Sequence, residues 1–286
     1  MSAADFPLGL HKGVPAAHYH ADPGVSNSML TALNKTPAHC WAMYLDPARK
    51  QVESTDAQQA GTLMHTVILE RDQMPVRYAV KPDGMSFSTK DGKAWREAVP
   101  AGVTIVSHDE SEVANSQRDA VWRNPWLAKL LSKGFAESSC FWIDKATGLR
   151  CRARPDFIHP TGKKSCVVVD LKQIADLTYD SVQRAIARYG YHRQAAHYRN
   201  GATECGLLVE EFVFCFVSAS YPFIAAPFVL DDESAAQGAE EVAELLAKFK
   251  GCRDLNFWPS FGDGYQQTGL PLWARRSQEL EVSYAD

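Results

Sequence analysis

The stretch from Leu149 to Lys172 constrains this chain more than any other. Two runs of strand-forming residues, Leu149–Ile158 and Cys166–Lys172, flank a turn containing Pro160-Thr161-Gly162-Lys163-Lys164. Each run delivers one aspartate, Asp156 and Asp170, and the second adds Lys172. Side chains alternate faces along a strand, so Asp170 and Lys172 share a side and Leu171 takes the other. Carboxylates crowded at one sheet edge repel each other unless a cation sits between them. The residues therefore predict a divalent-metal site suited to phosphodiester chemistry. The Cys166–Lys172 run is almost continuously apolar, as in a central strand covered on both faces.

The flanks supply a frame for that strand. Val25-Ser26-Asn27-Ser28 opens an amphipathic helix that Thr36-Pro37 should interrupt. Ser26 or Asn27 is expected to cap that helix, and Ser26 and Ser28 are the candidates for holding a phosphate at its start. A second helix spans 56–70, with Ala60, Leu63, Met64, Val67 and Ile68 at core spacing and His65 beside them. Residues 75–135 predict short strands at 76–80 and 103–106 and helices near 94–99, 107–124 and 125–132, with no chemistry announced. A strand carrying Glu137 leads through Asp144–Gly148 into the Leu149 run as a hairpin. Helices follow at 178–189 and 191–206, divided at Gly190, then strands at 212–217 and 226–230. Asp231–Ser234 caps a long helix, and the tail carries Trp258-Pro259 and Leu270-Pro271-Leu272-Trp273. Residues 1–24 are predicted to be an irregular arm, where His18, His20 and Asp22 have a poor scaffold for metal binding. Residues 25–286 are predicted to be one α/β domain.

The net charge of −4 excludes a generally basic surface but not a local basic groove. Such a groove is expected on the acid-free stretch between Asp180 and Glu204, which carries Arg184, Arg188, Arg193 and Arg199. The start lacks a secretory pattern, and no apolar run nears the ~20 residues of a membrane span. Seven scattered cysteines without a C-x-x-C pair suit free thiols in a reducing cytoplasm.

In order, the chain offers Gly61-Thr62-x-x-His65, Glu137, Pro155-Asp156, Asp170-x-Lys172 and Gln194-x-x-x-Tyr198. This order resembles the PD-(D/E)xK nuclease superfamily, in the branch containing the RecE (exodeoxyribonuclease VIII) nuclease domain and phage relatives. Further likeness lies in Ser26-Asn27-Ser28, Ala136–Ser139, Thr147–Arg152, Tyr191-His192-x-Gln194, Phe212–Phe214 and Leu270-Pro271-x-Trp273. The resemblance implies a restriction-endonuclease-like core, a central mixed β-sheet flanked by helices. It also implies Mg²⁺, with Mn²⁺ substituting, two ions per site, and ligands from His65, Asp156, Asp170 and the Leu171 carbonyl. Glu137 would be an outer or second-metal carboxylate. Lys172 would orient and deprotonate the attacking water or stabilise charge at phosphorus. Gln194 and Tyr198 would position the strand, and Arg184, Arg188 and Arg193 would follow its phosphates.

Similarity to RecE further implies processive 5′→3′ digestion of linear double-stranded DNA from its ends, leaving 3′ single strands for a RecT-type annealing protein. It implies a homo-oligomeric ring, trimer or tetramer, around DNA. Where RecE-type chains continue Asp-x-Lys with two threonines, this one has Gln173-Ile174. The alternatives are a structure-specific endonuclease on the same fold and a nuclease-inactive DNA-binding subunit of a recombination complex.

Overall fold

The computed structural model describes residues 6–49, 55–262 and 264–271. In chain order its elements begin with β1 (Gly9–His11), α1 (Ala16–Ala21), α2 (Asn27–Lys35), α3 (Pro37–Cys40) and α4 (Asp56–Leu69). There follow α5 (Met74–Arg77), β2 (Tyr78–Val80), α6 (Lys90–Ala98), β3 (Thr104–Val106), α7 (His108–Arg123) and α8 (Pro125–Leu131). The strand-rich part comprises β4 (Phe135–Ala136), β5 (Ser139–Ile143), β6 (Arg150–Ala153), β7 (Phe157–Pro160) and β8 (Ser165–Ile174). Last come α9 (Tyr179–Tyr189), α10 (Tyr191–Glu204), β9 (Leu208–Ser218), β10 (Ala225–Phe228) and α11 (Asp232–Asp254).

The larger sheet has the order β10-β9-β8-β7-β4 and is mixed: β8 and β9 run parallel and the other pairs antiparallel. Alternation along β9 shows how both faces are covered. Val213, Cys215 and Val217 join Leu171 of β8 against Leu63, Met64 and Val67 of α4 and Val121 of α7. Phe212, Phe214 and Phe216 join Val168 of β8 against Val182 of α9 and Ala195 of α10. A smaller sheet, β1-β5-β6, packs with α2 and α11 through Leu30, Leu33, Trp142, Cys151, Leu245 and Phe249. The interruption expected at Thr36-Pro37 is there, with Ser26 capping α2 and Thr36 capping α3. Ala60 is exposed, so the buried stripe of α4 starts at Leu63.

Two differences from the sequence expectation shape the site. The run 149–158 is not one strand: β6 ends at Ala153 in the small sheet and β7 begins at Phe157 in the large one. Likewise the strand expected around Glu137 is two, with β4 in the large sheet and β5 in the small one. Glu137 and Asp156 occupy the two adjacent crossings between sheets, joined by the Glu137 N–H donating to the Asp156 carbonyl at 2.9 Å. Glu137 has φ 49°, a left-handed conformation that a side chain rarely adopts. Just before it, Gly134 lets the chain approach β7 closely, since a Cβ there would lie 2.3 Å from the Ile158 carbonyl oxygen.

The irregular arm is also corrected, because β1 pairs with β5 and α1 packs Tyr19 against Phe141. The cause is an alternating row of arginines. Arg150 pairs with the buried Asp22 carboxylate at 2.6 Å and donates to the Phe6 carbonyl. Arg152 donates to the Tyr19 carbonyl, and Arg154 to the Val14 carbonyl at 2.8 Å. Period-two spacing thus gives each arginine a carbonyl of the N-terminal segment. At the other end Trp258 packs on Phe249, Leu270 is exposed, and Leu272-Trp273 lies outside the described residues. Among the described residues no helix is long and apolar enough to cross a membrane. All seven cysteines are free thiols.

Candidate metal centre

Strand β8 runs past the start of β7. Its partner register with β7 ends at Phe157 opposite Val169, whereas its pairing with β9 continues to Ile174. Leu171 therefore has no ladder partner on the β7 side. The Asp156 carboxylate fills that gap, accepting the Leu171 N–H at 2.7 Å. The N–H and C=O of one strand residue point the same way, so the Leu171 carbonyl faces the same gap. It accepts a hydrogen bond from the His65 ring, carried there by α4. His65 Nδ1 lies 3.6 Å from Asp156 Oδ2.

Ligand atoms of His65, Glu137 and Asp156 all lie within 4.8 Å of one another, forming the candidate metal-binding group among the described residues. The imidazole nitrogen and carboxylate oxygens are donors that a divalent cation accepts. Their electrostatics fit one as well. Burial, then the neighbouring Asp156 and Glu70, push the Glu137 carboxyl up to about 8. Burial raises Asp156 to about 6 against the opposing pull of Lys172 and the Leu171 N–H. Burial and the Lys172 charge lower His65 to about 4, leaving its imidazole neutral and able to ligate. A dication would relieve this crowding of anions.

Asp170 stands beside this group rather than within it. Fully buried, it receives Gln194 Nε2 at 3.0 Å on one oxygen and forms an ion pair with Lys172 through the other. Lys172 Nζ also sits 4.8 Å from the Tyr191 ring centroid. Burial alone would lower the lysine, but Asp170 and Asp156 outweigh it and hold its pKa above the usual value. Gln194 and Tyr198, one helical turn apart on α10, are hydrogen-bonded to each other. Here they form a column ending on Asp170, so the structure places them behind a carboxylate rather than on an open surface.

The arginine run is dispersed. Arg193 is buried against Gly190 and paired with Glu241 of α11 at 2.6 Å, which removes it from any groove. This corrects the sequence expectation: the stretch lacks acids of its own but receives one from another helix. Arg184 is exposed and paired with Asp180 at 2.5 Å, Arg188 is exposed over Tyr189, and Arg199 lies 3.8 Å from Glu211. Ser26 is a buried cap accepting the Met29 N–H, while Ser28 is exposed and bonded to Tyr44.

The sequence assigns no single role to some residues near the centre. Arg154 donates to Ser139 Oγ at 2.9 Å, lies 4.2 Å over the Tyr19 ring, and has Glu137 as its leading electrostatic partner. Its position two residues before Asp156 was the available signal. Glu70, which acts on Glu137, is gripped by both terminal nitrogens of Arg77 at 2.7 and 3.0 Å. Nothing in their spacing revealed that pair.

A family model described as a PDDEXK-like domain of unknown function (DUF3799) matches residues 26–266. The chain belongs to this family. The residues that resemble the PD-(D/E)xK pattern are Pro155-Asp156, in the crossing before β7, and Asp170-Leu171-Lys172 on β8. It shares its fold with a crystal structure described as a "Putative exonuclease" from Eubacterium rectale, at 13% identity and TM-score 0.56 over 84% of this chain and 88% of that one. A second structure, SSO0001, has 13% identity and TM-score 0.27 over 65% of this chain and 86% of that one, too remote to bear on the argument. No curated protein matches it in sequence.

Proposed function

We propose that this PDDEXK-like chain is a divalent-metal-dependent exodeoxyribonuclease that digests linear double-stranded DNA from its ends in the 5′→3′ direction. The observation that carries the reading is the convergence of His65, Glu137 and Asp156 next to the Asp170–Lys172 pair. His65, Asp156 and Glu137 would hold Mg²⁺ or Mn²⁺, with Asp170 and the Leu171 carbonyl alongside for a second ion. Such an ion, when bound, polarises the phosphoryl oxygen and lowers the pKa of a bound water.

The chain's own groups do the rest. Lys172, kept protonated by Asp170 and Asp156, faces the negative charge that builds on phosphorus as water adds and the P–O bond breaks. Tyr198 and Gln194 hold Asp170, and through it the lysine, in one position. Arg154 is the cation beside Glu137 and would take a phosphate of the bound strand, with Arg184, Arg188 and Ser28 as outer contacts. Direction, processivity, a ring of three or four subunits and a RecT-type annealing partner rest on the resemblance to RecE.

The test uses linear duplexes labelled at the 5′ or the 3′ end, with Mg²⁺, Mn²⁺ or EDTA. Metal-dependent release of the 5′ label as mononucleotide is expected, and Lys172→Ala should abolish it. Nicking of closed circular DNA at a comparable rate would replace the exonuclease with an endonuclease on the same fold.

A further inference from the structure

Behind the candidate centre, α4, α7, the β2–β3 pair and the end of β8 line a half-open cavity of about 370 Å³. It shares α4 and β8 with the centre. Helix α4 rises 1.5 Å per residue, so Thr62 and Gln59 line the cavity about 4.5 and 9 Å along the axis from His65. Its floor includes Gln173, which directly follows Lys172 and, by strand alternation, projects to the opposite face. This is also where the chain departs from the RecE-type Thr-Thr pair.

The lining selects a ligand class. Leu63, Ile105 and Val113 supply apolar walls, and Tyr78 an aromatic ring. The amides of Gln59, Gln117 and Gln173 and the carboxylates of Asp109 and Glu110 provide the polar groups, and among the described residues no lysine, arginine or histidine lines it. Glu110 is held ionised by the Ser107 N–H and hydroxyl that it caps, and Gln117 is oriented by donating to the Ser218 carbonyl at 2.9 Å. Acids without a cation repel a phosphate. A flat, uncharged ring bearing amino and carbonyl groups satisfies amides and carboxylates together, while its faces meet the apolar walls.

We infer that this cavity seats one unpaired nucleobase of the strand being cut, leaving its phosphate outside, on the candidate centre's side of β8. The inference rests on the nuclease reading above. A base held there would oppose re-pairing of the duplex end and fix the position of the neighbouring phosphate.

The experiment titrates the metal-free full chain with deoxyadenosine and with the fluorescent 2-aminopurine deoxyriboside, using deoxyribose 5-phosphate as control. Saturable binding of both nucleosides and none of the sugar phosphate is expected. Gln173→Leu, which removes an amide, and Val113→Trp, which fills the cavity from the exposed side of α7, should each weaken binding at least fivefold. With Mn²⁺ and linear duplexes, the parent should cut ends with an abasic terminal nucleotide at least fivefold more slowly than intact ends, and both variants should lose that discrimination. Absence of saturable binding, or binding unchanged in both variants, overturns the cavity assignment. A chain that cuts DNA without discriminating abasic ends loses this inference alone. One that binds deoxyadenosine in the cavity yet cuts no DNA loses the nuclease reading and, with it, the cut strand as the source of the base.

Discussion

Two charged stretches that look comparable in sequence meet opposite fates. Around the stretch from Asp156 to Lys172, like charges are driven together: the fold brings Glu137 to Asp156 at one gap at the sheet edge, and both carboxyls are raised. From Arg184 to Arg199, like charges are driven apart and each of three arginines meets an acid, Asp180, Glu241 or Glu211. The first arrangement lowers stability in exchange for a place where a dication can bind. The second is ordinary electrostatic matching. Convergence of like charge inside a fold, rather than its density along the chain, marks a site where chemistry occurs.

The comparison breaks most sharply at the centre. Lys172→Ala and Asp156→Asn should each reduce metal-dependent DNA hydrolysis by about a thousandfold or more, measured as nucleotide release at saturating Mn²⁺. Equal activity in either variant would move the chemistry elsewhere.

The next effect is on stability. Glu137 has a folded pKa of about 8, above its ordinary value of 4.5. Its neutral form is the favoured one in the fold, so its contribution is fully present below pH 4.5 and is lost as pH rises through 8. Metal-free protein should therefore lose melting temperature across that window. Added Mn²⁺, which competes with protons for the carboxylates, should raise it by several degrees more at pH 8 than at pH 6. Glu137→Gln should flatten the pH dependence and remove most of the metal-induced shift, both read by differential scanning fluorimetry.

The arginine stretch should respond in a different currency. Arg193→Ala leaves Glu241 without its closest cation at a largely buried pair and should cost about 2 kcal/mol in urea denaturation. Arg184→Ala removes an exposed i,i+4 pair and should change stability by less than about 0.5 kcal/mol. Its effect on DNA binding at low salt should be under threefold in a filter-binding titration. A large binding loss from Arg184→Ala, with none from Arg154→Ala, would restore the run as the phosphate track.

Much of the frame is written locally. The helix caps at Ser26, Ser107 and Asp231, the division at Gly190, and the central burial of Cys166–Lys172 follow from residue types over a few positions. The placement of Asp170 and Lys172 on one side of β8 follows as directly, because strand periodicity is a local property. The order of the N-terminal arm is not legible locally because it comes from Arg150, Arg152 and Arg154, more than a hundred residues away. The cavity under Gln173 was invisible for the same reason: it exists only where α4, α7 and β8 meet.

The opening stretch, Leu149 to Lys172, states the chemistry by itself: two carboxylates, a lysine, and a strand that must be buried. Tertiary structure alone decided that the first run breaks at Pro155-Asp156 to cross between sheets, alongside a second crossing at Glu137. That crossing exposes the Leu171 N–H and carbonyl, ties Asp156 to one, and brings His65 to the other. The reason is physical. A residue's type and periodicity are carried within a turn or two of chain, whereas the unpaired edge of a strand depends on where its neighbour stops.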